Sequence, residues 1–153
     1  MSTAVELYAE VATFLDTLPS APRIVRYIDP KLSYRPLRGQ DGTPLGPRTN
    51  WFLVVSYVAA QVDDGNVADV FSCDCEVRMM HQLLGDDTQK YRDDDYLGGE
   101  MLVDQEELFA VSNWRTLPAV SQVERRPDLS EAVNRINNTI LYSVRTTVRL
   151  RPT

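Results

Sequence analysis

The chain has 153 residues, 43% hydrophobic and 25% charged, so one ordinary globular domain over residues 1–153 with a single core is expected. A formal net charge of −6 argues against a general nucleic-acid binder, which needs a basic face. No apolar run approaches the length of a membrane span, and the opening Met-Ser-Thr-Ala-Val-Glu lacks the basic start and apolar middle of a signal peptide. Cytoplasmic synthesis without membrane contact is the expectation.

Thr3 and Glu6 have the spacing of a capping box, and Tyr8, Val11, Leu15 and Leu18 recur at three and four residues. They predict an amphipathic first helix, ended by Pro19. Residues 23–29, rich in β-branched and aromatic side chains, read as a strand. Residues 35–48 hold Pro36, Gly39, Gly42, Pro44, Gly46 and Pro47, which break any regular element and predict an exposed arm. Residues 51–62 are apolar at both alternating sets of positions, the pattern of a central strand covered on both faces. After the turn residues Asp63-Asp64-Gly65-Asn66, a second helix is expected over 67–84. Its apolar face would be Val70, Phe71, Val77, Met80, His81 and Leu84, with Gly85 as its stop.

Residues 86–100, with Asp86, Asp87, Asp93, Asp94, Asp95 and Glu100, read as an acidic loop. Strands are expected at 107–114 and 119–124. Pro127-Asp128-Leu129-Ser130-Glu131 has an N-cap pattern and opens a third helix with Leu129, Val133, Ile136 and Ile140 on one stripe. The last strand is the clearest: Tyr142, Val144, Thr146, Val148 and Leu150 alternate with Ser143, Arg145, Thr147, Arg149 and Arg151. The fold class is therefore α+β, a mixed or antiparallel sheet flanked by about three helices, with no internal repeat.

No convergent chemistry stands out. The lone His81 sits beside Met80 on an apolar stripe and reads as a packed or boundary histidine, with no serine or cysteine motif framing a nucleophile. Cys73 and Cys75, placed on the expected helix, point to different faces, make a poor disulfide and fit reduced thiols. Together with one histidine they lack zinc spacing, and the aspartates of 86–95 lack the EF-hand pattern. Gly98-Gly99 has no phosphate-loop context. No cofactor, no metal and no enzymatic activity are expected. Arg145, Arg149 and Arg151 form a basic strip without interleaved aromatics, which reads as a solvated face or a salt-bridged interface before it reads as a nucleic-acid site.

The order of elements resembles the tail-terminator, or cap, proteins of contractile phage tails and contractile injection systems. The stretches that carry this are 51–84, with Val55-Ser56-Tyr57-Val58, an acidic turn and Arg78-Met79-Met80-His81-Gln82-Leu83-Leu84, and 128–150, with Leu129-Ser130-Glu131 before Tyr142-Ser143-Val144-Arg145. The acidic loop after Leu84 is longer than that pattern, and Asn134, Asn137 and Asn138 stand where apolar positions are expected. The resemblance implies a homo-oligomeric ring, sixfold, that caps the tail tube, stops its growth and docks sheath, neck or head-completion proteins inside the producing cell and then in the particle.

Physical reasoning beside the resemblance also points to assembly. Ring contacts are head-to-tail and need two complementary surfaces. The arm, with Arg38, Leu45 and Arg48, and the acidic Asp93, Asp94 and Asp95 set against Arg145, Arg149 and Arg151 are the expected interface residues. A monomeric adaptor that recognises a protein partner through the 35–48 arm is the competing expectation.

Overall fold

In a computed structural model, the described residues are 2–20, 48–63, 66–82, 97–134 and 139–152. The expected strand at 23–29, nearly all of the arm, and Asp93, Asp94 and Asp95 lie outside them.

The capping box forms as the sequence indicates. The Glu6 N–H donates to Thr3 Oγ1 at 3.2 Å and the Thr3 N–H to Glu6 Oε2 at 3.0 Å, opening α1 over Ala4–Leu15. Its buried stripe is Leu7, Val11 and Leu15, continued by Leu18. Tyr8, expected on that stripe, is instead half exposed, because Leu7 takes the inward position one residue earlier.

The next two elements are long strands, β1 (Arg48–Asp63) and β2 (Asn66–Gln82). They pair antiparallel from Arg48 opposite Gln82 to Asp63 opposite Asn66. The helix expected over 67–84 is thus a strand. Phe71, Cys73, Cys75, Val77, Met79 and His81 alternate strictly with Ser72, Asp74, Glu76, Arg78 and Met80, a period of two that outweighs the irregular helical spacing. Asp64-Gly65, between the last paired residues, is itself a strong hairpin signal.

A π-helical turn, Leu97–Met101, leads into α2 (Leu102–Phe109), and α3 (Val111–Arg115) follows. The expected acidic loop therefore becomes helical by Leu97, and the strand expected at 107–114 is two short helices. Ala110, with ψ 113°, is the extended break between them. Trp114 fixes the corner: it is buried, and its Nε1 donates to the Leu108 carbonyl at 2.8 Å. β3 (Val120–Asn134) and β4 (Thr139–Leu150) complete the sheet. The short strand expected at 119–124 thus runs on to Asn134, and the third helix expected from Pro127 is absent. Pairing of Leu129 with Val144 and Val133 with Ile140 uses the same apolar residues at strand spacing. Pro127, which cannot donate to a ladder, sits at a register shift of an outer strand, where it costs no pairing.

The sheet order is β1-β2-β4-β3, all antiparallel. An α+β fold with an antiparallel sheet flanked by three α-helices is therefore observed among the described residues. One sheet face buries Leu53, Cys73, Cys75, Val77, Met79, Tyr142, Val144, Val148 and Leu150 against Leu7, Val11, Leu15, Leu108 and Trp114. β4 divides as its alternation demands, with its apolar set buried and Arg145 exposed. β1 is not the central strand expected from its composition. Among the described strands it stands at the sheet edge, and Phe52, Val54 and Val58 are 41%, 38% and 54% exposed.

Candidate functional site

The face of the sheet turned away from the helices is built from rows of residues in register. One row runs Phe52, Arg78, Ser143, Ser130; the next Val54, Glu76, Arg145, Asp128; the third Ser56, Asp74, Thr147, Arg125. Alternation puts every second residue of four neighbouring strands here, so sequence positions far apart become one surface.

Its charges are matched within the chain. Glu76 accepts from Arg78 Nε at 2.8 Å and from Arg145 at 3.3 Å. The Arg78 hydrogen bond, joined by the Arg78 and Arg145 charges and opposed by burial, holds the Glu76 carboxyl below the usual range. Arg149 Nε bonds Glu124 at 3.0 Å, Arg125 lies 3.7 Å from Asp128, and the Thr147 hydroxyl donates to Asp74. The basic strip expected on β4 is therefore not a free cationic face. β4 lies between β2 and β3, and both neighbours bring acids to it. Strand order creates this neutralisation, and the β4 sequence alone carries no sign of it.

Of the expected interface residues, the structure brings Arg145 and Arg149 to this face. Arg151 lies just past β4, its guanidinium donating to the Val120 carbonyl at 3.4 Å and its N–H to the Ala119 carbonyl at 2.7 Å. Arg48 begins β1. Arg38, Leu45, Asp93, Asp94 and Asp95 lie outside the described residues.

The sequence reading missed the apolar margin of the same face. Phe52 and Val54 on β1 and Leu141 on β4 are exposed there, and the Arg78 guanidinium lies 5.9 Å from the Phe52 ring centroid. The signal was present: 51–62 is apolar at both sets of positions, and over 51–55 only Trp51, Leu53 and Val55 join the core.

The opposite, buried face holds the chain's thiols and imidazole. Cys73, Cys75 and His81 sit on the same side of β2, not on diverging faces, because the segment is a strand. Both cysteines are free. Burial pushes the Cys75 thiol up to about 12 and, with Asp74 nearby, the Cys73 thiol up to about 11. Burial also pushes His81 down to about 4, and its ring stacks on Tyr142 at 5.3 Å between centroids. Thiols held protonated beside a neutral imidazole are the reverse of a thiolate–imidazolium pair. Among the described residues no group of three or more His, Cys, Asp or Glu could hold a metal, and no helix is long and apolar enough to cross a membrane.

Compared with protein-family models and with curated proteins, the chain matches none.

Proposed function

We propose that this chain is a structural assembly protein that works as a ring-shaped homo-oligomer, of the kind that caps a tail tube, terminates its growth and docks sheath or neck components. The observation that carries the reading is the outer face along β1. Phe52 and Val54 are exposed as neighbours on one face of the outermost described strand, and Val58 is exposed further along it at a register shift. Exposed apolar groups of this kind favour burial against another chain. The neutralised charge rows beside them suit a contact that is desolvated on assembly, since their charges already have partners. The tail-cap identity rests on the order of the opening amphipathic helix, the long apolar strand and the closing amphipathic strand. The two inner helices of that pattern are strands here and lend it nothing.

Light scattering coupled to size exclusion tests the reading. A closed oligomer with a mass several times 17.4 kDa is expected, alone or with a tube protein. A monomer under both conditions would overturn it and favour the adaptor.

A further inference from the structure

A groove of about 420 Å³ lies between the α2–α3 corner and β3, on a different part of the molecule from the β1 margin. Phe109, Val111, Val123 and Pro127 form its apolar walls, and Arg115, Arg126 and Glu124 supply its charges. Glu124 is already engaged by Arg149 at 3.0 Å. The two arginines are not engaged. Arg78, Arg125, Arg145 and Arg149 all pair with acids, and Arg151 bonds the Val120 carbonyl. Among the described side chains, the arginines left without a partner are the two that line this groove. In a chain of net charge −6, leaving two guanidiniums unmatched beside Phe109 is the opposite of what self-neutralisation elsewhere achieves.

We propose that this groove binds an acidic peptide segment of a partner protein, one with an apolar side chain next to its carboxylates. Guanidinium groups bind carboxylates through paired, charge-assisted hydrogen bonds. The half-exposed Phe109 ring, with Val111, Val123 and Pro127, gives the neighbouring apolar side chain a surface to cover. Nucleic acid fits less well: the molecule's overall negative charge repels a long polyanion, whereas a short segment meets only the local positive field. The inference does not depend on ring formation, because the groove lies within one chain.

The test uses the full chain and a pool of fluorescein-labelled peptides with a fixed Glu-Glu pair flanked by varied apolar residues. A matching pool with Gln-Gln and a single-stranded oligonucleotide serve as competing probes. Binding of the glutamate pool at least about tenfold tighter than the glutamine pool is expected. Selected peptides should shift the backbone amide resonances of Phe109, Arg115, Val123 and Arg126. Arg115→Glu with Arg126→Glu should weaken binding about tenfold or more while the melting temperature holds, since both side chains are exposed. Arg125→Glu with Arg145→Glu changes the net charge equally but sits on the sheet face, and should keep binding within about twofold. Equal binding of the two pools, resonance shifts confined to other residues, or equal losses in the two charge-matched double variants would each overturn the inference. Tighter binding of the oligonucleotide through the same two arginines would overturn it in favour of a nucleic-acid groove.

Discussion

His81 and Asp104 are both fully buried, and they respond to acid in opposite directions. Burial lowers His81 from 6.5 to about 4. Between those values the unfolded chain takes up a proton that the folded chain refuses, so stability falls as pH drops through that window. Burial raises Asp104 from 3.8 to about 6, opposed by its hydrogen bond with Ser20 and reinforced by Glu100 and Glu107. Its stabilising contribution is complete below pH 3.8 and is lost as pH rises through 6. Asp104→Asn, which has nothing to ionise, is therefore expected to stabilise the protein at pH 8 by about 1–2 kcal/mol, a few degrees of melting temperature, and to lose that advantage near pH 4. An equal effect at both values would show that ionisation is not the cause. His81→Phe keeps an aromatic ring against Tyr142 and should flatten the decline between pH 6.5 and 4, as followed by urea unfolding across that range.

At the scale of elements, β4 shows how unequal two sides of one strand are. Val148 is fully buried, and Val148→Asp places an unpaired carboxylate in the core, at a cost of about 3 kcal/mol or more. Arg145 is exposed, and Arg145→Gln gives up only its ion pair with Glu76, for less than about 1 kcal/mol. Chemical denaturation of both variants should give that order, and a comparable loss from each would refute the division of faces. This strand was legible in advance because the ten residues 142–151 alternate, with Thr146 the one polar member of the inward set. α1 was legible because its cap and stripe agree. β2 also alternates, yet Val70, Met80 and Leu84 could be gathered into a helical stripe, and a period chosen from too few positions misled. The α2–α3 pair was hidden by a composition of 107–114 that suits a strand, and Ala110 breaks its helical period halfway. The candidate face could not be read at all before strand order was known. Its rows join residues far apart in sequence, such as Val54 and Arg145.

For the whole molecule, the two surfaces make separable demands. Core burial holds the fold, with each fully buried apolar side chain contributing roughly 1.5–3 kcal/mol. The exposed Phe52 and Val54 contribute little to that core. Phe52→Lys with Val54→Lys should therefore leave the melting temperature within a few degrees of the wild type while shifting the mass in solution toward monomer. Unchanged oligomerisation in a folded variant would remove the β1 margin from the assembly surface, and unfolding would show that those residues belong to the core.

The strand order carries one more consequence, for the chain as it is being made. β1 and β2 are neighbours in both sequence and sheet, so that hairpin can close as soon as it emerges. β4 is different: it fills the slot between β2 and β3, strands that never touch each other. Until the ribosome delivers residues 139–150, β2 and β3 each lack the neighbour they share, which is the last of the four described strands to arrive. Closure of the sheet is a keystone event, and the nascent protein is most vulnerable to wrong pairing just before it.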